Sequence, residues 1–156
     1  MKKALIIFGI IFVVVAIIGV MIFVPLLKEK EKISAKSFKK NMEDKGYTLY
    51  DVTDQYEGYA DKVYIAKKSD CRIEFYDATT LENAVVMFNT SKSQFEMQKG
   101  NNSAYSSVNG KNFSTYKLQT NGKYKYLSRV EDTLIYIDVD EEYKDTIKDI
   151  IKELGY

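Results

Sequence analysis

The stretch KNFSTYKLQTNGKYKYLSRVEDTLIYIDV, residues 111–139, decides the fold. Its apolar and polar residues alternate with the period of two that is typical of strands. Short polar breaks at Asn121-Gly122 and Glu131-Asp132 divide it into three runs. Asn-Gly suits a type I′ hairpin turn because both central residues need a positive φ, and a second such pair, Asn109-Gly110, joins this stretch to the run before it. Strands joined by tight turns are antiparallel, and the pattern of 133–139 is typical of a central strand.

Outside this stretch, the pattern predicts four more strands and three amphipathic helices. In one of these strands Cys71, Ile73 and Phe75 alternate with more polar neighbours, which predicts one buried face and one wet face. We therefore predict an α+β fold, with an antiparallel sheet of about seven strands, in one layer or two, and three helices packed on one face. The further strands are predicted at 48–53, 62–68, 71–77 and 103–108, and the helices at 33–45, 79–100 and 140–156.

The predicted helix ends carry residues with known capping preferences. Thr79 and Glu82 have the spacing of a capping box, in which each side chain satisfies a free amide of the other. Ser34 and Asp140 are the expected N-caps of the first and last helices. Gly46 is expected to end the first helix because a glycine adopts the left-handed conformation that closes many helices.

The first 27 residues contain an uncharged run of 24 residues, from Ala4 to Leu27. A helix of that length is roughly 36 Å long, which exceeds the ~30 Å hydrocarbon core of a bilayer. The run is longer than the apolar part of a cleaved signal peptide and ends in bulky residues, so we predict that 1–27 is an uncleaved single-pass transmembrane anchor that contacts the lipid bilayer through 4–27. Lysines flank both ends of the run, with Lys28, Lys30 and Lys32 at its far end, so counting lysines also allows the opposite orientation. The opening MKK followed directly by an apolar run has the form of an export signal and favours an N-terminus inside the cell. This places a domain over 33–156 outside the cytoplasm, after a juxtamembrane linker over 28–32.

The composition argues against several classes of function. The chain has no histidine and one cysteine, Cys71, so it lacks the usual general base, the usual neutral metal ligand and a disulfide or thiolate zinc site. Its 23 basic and 22 acidic residues nearly balance, and Arg72 and Arg129 are its only arginines, so it offers little for recognition of a nucleic-acid backbone. We therefore predict no enzymatic activity, no cofactor, no metal and no nucleic-acid partner.

Two groups of carboxylates suggest other chemistry. The run 138–145 contains Asp138, Asp140, Glu141, Glu142 and Asp145 and could hold calcium, although it lacks the EF-hand spacing and helix capping explains the same residues. A second group lies near the end of a predicted strand and the start of a helix, so a hydrolase that uses two carboxylates is an alternative. This second group consists of Glu74, Asp77 and Glu82.

Tyrosine is unusually frequent, with 13 residues in the chain. A sheet face rich in tyrosine can stack sugars or hold a peptide because the ring is apolar and the hydroxyl polar. Tyrosine also suits ordinary half-buried strand positions. The candidate ligand-facing residues are the five tyrosines on the hairpin strands: Tyr105, Tyr116, Tyr124, Tyr126 and Tyr136.

Three features together resemble small membrane-anchored proteins of Gram-positive bacteria. They are the opening MKK with its apolar run, the segment TLIYIDVDEEYKDTIKDIIKELGY (133–156) and a composition rich in lysine and tyrosine. The resemblance implies an α+β domain outside the membrane and carries over no functional residue. We expect a non-enzymatic domain, anchored in the membrane of a bacterial cell envelope, that binds a protein partner or a cell-wall component. The alternatives are an accessory subunit of a membrane complex that acts through its transmembrane helix, and the carboxylate-based hydrolase.

Overall fold

The structure, a computed structural model, describes residues 28–156. The predicted transmembrane anchor over 1–27 lies outside the described residues. Within 28–156, no helix combines the length and the apolar character that crossing a membrane requires.

The described residues form one seven-stranded sheet and three α-helices, so the α+β prediction is confirmed. The strand order is β1-β2-β3-β7-β6-β5-β4, and every neighbouring pair is antiparallel. The alternative of a sheet in two layers is wrong. The strands are β1 (Thr48–Asp51), β2 (Ala60–Lys68), β3 (Cys71–Ala78), β4 (Ala104–Asn109), β5 (Phe113–Thr120), β6 (Lys123–Val130) and β7 (Thr133–Asp140), and the helices are α1 (Ala35–Asp44), α2 (Leu81–Glu96) and α3 (Lys144–Glu153).

Strand β7 is central, as its sequence predicts. It lies between β3 and β6, and Ile137 is paired with Ile73 on one side and Tyr126 on the other. Because β7 pairs with both β3 and β6, it joins strands β1–β3 and strands β4–β6 into one continuous sheet. Strands β3 and β7 are far apart in the sequence, so the continuity of the sheet depends on this long-range pairing.

Helices cover both faces of the sheet, and the prediction that they share one face is wrong. Helices α1 and α3 pack on one face, where the rings of Phe38 and Phe75 stack with their centroids 4.7 Å apart. Helix α2 packs on the other face through Phe88 and Phe95. The sheet is therefore the middle of three layers, because its central strands present apolar side chains on both sides.

The second face of β3 is accordingly buried rather than wet. Glu74 and Tyr76 are both buried in the layer beneath α2. The Tyr76 hydroxyl donates a hydrogen bond to the Glu74 carboxylate, and the Arg72 Nε lies 2.8 Å from the other Glu74 oxygen. These partners satisfy the buried carboxylate, which explains how a strand with polar alternation is covered on both sides.

The two Asn-Gly pairs form different turns. Asn121 and Gly122 have φ of 49° and 71°, which confirms a turn with two left-handed central residues between β5 and β6. The prediction for the other pair is wrong, since Asn109 still pairs with Ser114 inside the β4–β5 ladder. Gly110 is needed for close approach instead, because a Cβ built there would lie 2.0 Å from the ring of Phe113.

The predicted caps are confirmed for α1, whereas those predicted for α2 and for the last helix are wrong. Ser34 caps α1, and Gly46 follows this helix with a φ of 77°. The predicted capping box is wrong by one residue, because Thr80 and not Thr79 accepts the hydrogen bond from the amide of Asn83. The predicted cap at Asp140 is also wrong. Asp140 ends β7, and its carboxylate lies 2.6 Å from Lys123.

Candidate anion-binding pocket

The five candidate tyrosines do not share one surface. Tyr105, Tyr116 and Tyr136 lie on the face of the sheet that α2 covers, whereas Tyr124 and Tyr126 lie on the face that α3 covers. Only Tyr105 is well exposed, at 64%, and its ring lies 6.4 Å from that of buried Tyr116. Of the five, Tyr124 and Tyr126 line the same cavity.

This cavity has a volume of about 410 Å³ and lies between the sheet, α3 and the segment that precedes α1. We call it the lysine–tyrosine pocket, since four lysines and three tyrosines contribute most of its lining. Its lining consists of Lys30, Lys117, Tyr124, Tyr126, Lys148, Ile151, Lys152, Gly155 and Tyr156. The volume lies within the range of small-molecule sites.

The sheet and α3 bring three of the four lysines together. Lys117 of β5 lies directly opposite Tyr126 of β6, and its Nζ is 5.6 Å from the centroid of that ring. Lys148 and Lys152 are four residues apart and therefore lie on one face of α3. Ile151 is buried against the sheet between them, so the packing of the helix fixes where the two ammonium groups emerge.

The fourth lysine comes from residues 28–32, which lie against the end of the sheet. The amide of Lys30 donates to the Asn112 Oδ1 at 2.9 Å, and the Asn112 Nδ2 donates to the Lys30 carbonyl at 2.8 Å. Two ion pairs hold the flanking residues, between Glu29 and Lys111 at 2.8 Å and between Lys32 and Asp132 at 2.6 Å. The Lys30 ammonium is therefore held at the pocket, where it also lies 4.8 Å from the ring centroid of Phe113.

The lining of the pocket carries an excess of positive charge. Among the described residues, no acidic side chain belongs to its lining. Lys148 has an ion pair with Asp145 at 2.8 Å, outside the lining, whereas Lys30, Lys117 and Lys152 form no ion pair within residues 28–156. Burial, and after it the charge of Lys117, lowers the pKa of Lys30. No carboxylate of the described lining offsets the charge of Lys117 on Lys30.

The tyrosines supply neutral hydroxyl groups. Burial raises the pKa of Tyr124 to about 12, with Tyr126 and Asp145 adding to the effect. Burial likewise raises the pKa of Tyr126 and of Tyr156. The Tyr156 hydroxyl already has a partner in Thr133. All three phenols are protonated at neutral pH, and a protonated phenol can donate a hydrogen bond to an anion.

Two other cavities differ because their charges are paired. One, of about 480 Å³ beside buried Cys71, is lined by Lys45 and Glu153, which form an ion pair with each other. The other, of about 470 Å³ under the end of α2, contains the ion pairs of Arg72 with Glu74 and of Lys125 with Asp138. Within these two cavities, the lysines and the arginine already have local partners of opposite charge or a carbonyl acceptor.

The predicted carboxylate sites are dispersed. Glu74 and Asp77 lie on opposite faces of β3, since they are three residues apart on one strand. In the acidic run, Asp138, Asp140 and Asp145 each form an ion pair with a lysine. Within residues 28–156, no three carboxylate or thiol groups come close enough to hold a metal ion.

Sequence reasoning found two of the three tyrosines of the pocket, Tyr124 and Tyr126, and missed Tyr156 and the lysines. Lys30, Lys117 and Lys152 are far apart along the chain, and nothing in their local patterns distinguishes them from other lysines. The one available signal was the spacing of Lys148 and Lys152 beside the apolar stripe of α3. The remaining lysines are gathered by the sheet register and by Asn112.

The chain was compared with family models, with curated proteins and with solved structures. It matches no family model, no curated protein and no solved structure. The class of the protein is therefore defined by its own fold, a three-layer α+β domain with a single antiparallel sheet.

Proposed function

We propose that this protein is a non-enzymatic, membrane-tethered domain of a bacterial cell envelope that binds an anionic envelope component in the lysine–tyrosine pocket. One observation carries the proposal: four lysines converge on a cavity whose described lining contains no acidic side chain. Keeping like charges together costs free energy, and a bound anion removes that cost.

The pocket favours binding over catalysis. Catalysis by acids and bases needs a group that gains or loses a proton near neutral pH. The tyrosine hydroxyls have raised pKa values, with Tyr124 at about 12, and histidine is absent from the chain. These groups hold an anion by charge and by hydrogen bonds, without a proton to exchange.

The membrane tether is part of the proposal through the 24 uncharged residues from Ala4 to Leu27. With its N-terminus inside, this anchor would hold the domain on the outer surface of the membrane. Anionic polymers and lipid headgroups of the envelope would then be the ligands within reach. The proposal therefore restricts the expected ligand, which is a wall component or a protein partner, to molecules that carry negative charge.

The test is calorimetric titration of the full chain in a non-ionic detergent, with inorganic phosphate and with polyglutamate as separate probes. Replacing Lys117 and Lys152 together by glutamine should weaken phosphate binding by about tenfold to thirtyfold, since each lost contact is worth about 1 kcal/mol. Raising the salt concentration should weaken binding in the parent protein.

A charge-matched control is the double change Lys36→Gln and Lys67→Gln. Both lysines are exposed, lie outside the pocket and form no ion pair within the described part of the chain. This control should bind phosphate as the parent does. Equal losses in the two double variants, or no binding of either probe by the parent, would refute the proposal. Binding of polyglutamate alone would assign the pocket to an acidic protein segment instead.

A further inference from the structure

The position of Lys30 along the chain limits how far the pocket can lie from the predicted anchor. Lys30 is three residues beyond Leu27, where the uncharged run ends. Even a fully extended chain spans only about 3.6 Å per residue, so the Cα of Lys30 is within roughly 11 Å of the Cα of Leu27. The headgroup layer on each side of a bilayer is about 5–7 Å thick. The pocket therefore begins within reach of the headgroups of the membrane that holds the anchor.

The contacts of residues 28–32 also decide which end of the domain faces that membrane. Glu29 pairs with Lys111 and Lys32 pairs with Asp132, so the chain leaves the domain beside the β4–β5 and β6–β7 turns. The C-terminal end of α3 lies at the same end of the sheet, because Tyr156 contacts Thr133 at the start of β7. Lys152, in the last turn of α3, is thereby placed on the membrane side of the domain.

From these two observations we infer that the lysine–tyrosine pocket binds the phosphate group of a lipid headgroup, in the membrane leaflet next to the domain. This inference rests on the proposed function, which assigns an anion to the pocket and a membrane anchor to residues 1–27. It adds the chemistry of the anion and its source.

The donors in the pocket suit a phosphate group. Ammonium groups act as point charges that can approach a phosphate from several directions, and lysine is a common ligand of phosphate groups in proteins. The pocket has four lysines and no arginine in its described lining. Tyr124 and Tyr126 add phenol groups beside the lysines, and their raised pKa values keep those phenols protonated as hydrogen-bond donors.

The size of the pocket also favours a headgroup over a single ion. Its volume is about 410 Å³, which is in the range that accommodates a small molecule. It is open along the side that Lys117, Lys148 and Lys152 border, and all three of these lysines are exposed. A lipid phosphate, together with the head alcohol that it carries, can enter from that side while the acyl chains stay in the bilayer.

The experiment places the full chain in two kinds of nanodisc, one of phosphatidylglycerol and one of a galactolipid without phosphate. The rate at which an amine-reactive reagent modifies each lysine is then measured by mass spectrometry. Lys30, Lys117 and Lys152 should be modified at least fivefold more slowly in phosphatidylglycerol. Lys36 and Lys67 should react at similar rates in both nanodiscs.

A second arm separates a lipid source from a soluble one. Glycerol phosphate is added to the chain in the galactolipid nanodiscs, where phosphate is available only from solution. Protection of the pocket lysines in phosphatidylglycerol, with or without protection by added glycerol phosphate, supports the inference. Protection only by added glycerol phosphate overturns the lipid source and keeps the proposed function, and protection in neither condition overturns both. In phosphatidylglycerol, Lys117→Gln should also restore the reactivity of Lys30, whereas Lys36→Gln should not.

Discussion

At the scale of single residues, Lys30 links the backbone path of the chain to the chemistry of the pocket. Its main chain is held by Asn112, and its ammonium group lies where burial and the charge of Lys117 lower its pKa. A bound anion stabilises the protonated form of Lys30 and so raises its pKa. Its protonation therefore reports on the occupancy of the pocket.

The first prediction concerns this pKa. Lys117→Gln should raise the pKa of Lys30 toward the ordinary value of 10.5 because one of its two causes is removed. Saturating phosphate should raise it in the parent protein. Both effects can be measured from the pH dependence of the ¹³Cε chemical shift of Lys30. A pKa that does not respond to Lys117→Gln would show that the two ammonium groups do not interact.

The second prediction concerns Gly110, whose missing side chain leaves room for a ring. A Cβ at this position would lie 2.0 Å from buried Phe113, so Gly110→Ala should destabilise the protein by about 1–3 kcal/mol through overpacking. Thermal unfolding of the full chain in detergent measures the effect. Gly100→Ala is the control, because its Cβ would be no closer than 3.0 Å to another side chain, and it should cost much less.

Local signals in the sequence identified some of these residues and missed others. Ser34, Gly46 and the Asn121-Gly122 turn were predictable because each acts locally. The Ser34 hydroxyl accepts a hydrogen bond from the amide of Ser37, and Gly46, Asn121 and Gly122 adopt positive φ angles. Gly110 carries the same Asn-Gly signal, but its role depends on a ring three residues away. A local pattern does not show whether a glycine is needed for its positive φ or because a Cβ would clash with a neighbouring side chain.

At the scale of elements, the pairing of β6 with β7 includes a buried charge. Lys125 is 2% exposed, and it forms an ion pair with Asp138, which lies directly opposite on β7. Its Nζ is also 5.1 Å from the ring centroid of Phe95 in α2. The lysine therefore connects two layers of the domain.

The third prediction follows from this pair. Lys125→Met should destabilise the protein by about 1–3 kcal/mol, since it leaves the partly buried Asp138 carboxylate without its partner. The double variant Lys125→Met/Asp138→Leu should be more stable than the single one, because it removes both charges. Thermal unfolding of both variants in detergent checks the order. A double variant less stable than Lys125→Met would contradict this account.

The fourth prediction concerns the segment 28–32. Asn112→Ala removes the two hydrogen bonds to the Lys30 backbone, so amide exchange in 28–32 should accelerate while the strands keep their protection. Phosphate affinity should fall several-fold because Lys30 is no longer held at the pocket. Unchanged exchange in 28–32 would show that the flanking ion pairs hold the segment without Asn112.

The elements themselves were largely predictable, because each of the seven strands overlaps a predicted one. The burial of both faces of β3 could not be predicted from its sequence. Glu74 and Tyr76 have a pattern typical of an exposed face, yet α2 covers them. The sequence of one strand does not show which helix will lie over it, and hydrogen bonds between polar side chains make such burial possible.

At the scale of the whole molecule, the arrangement of three layers explains why the site could not be predicted. The pocket lies where β5, β6, α3 and the segment before α1 meet. These elements are distant in sequence, and their local patterns do not show that α3 and the segment before α1 will lie over the same part of the sheet. The tyrosine-rich hairpins indicated a binding surface, whereas the fold selects Tyr124 and Tyr126 and adds the lysines.

The most direct measurement is a phosphate titration of the full chain in non-ionic detergent, followed through the ¹³Cε signals of isotopically labelled lysine. The account predicts that the signals of Lys30, Lys117, Lys148 and Lys152 shift together with one dissociation constant, while those of Lys36 and Lys67 stay in place. Shifts spread evenly over all the lysines, or no shift in the four pocket signals, would contradict the claim that this fold builds a site for an anion.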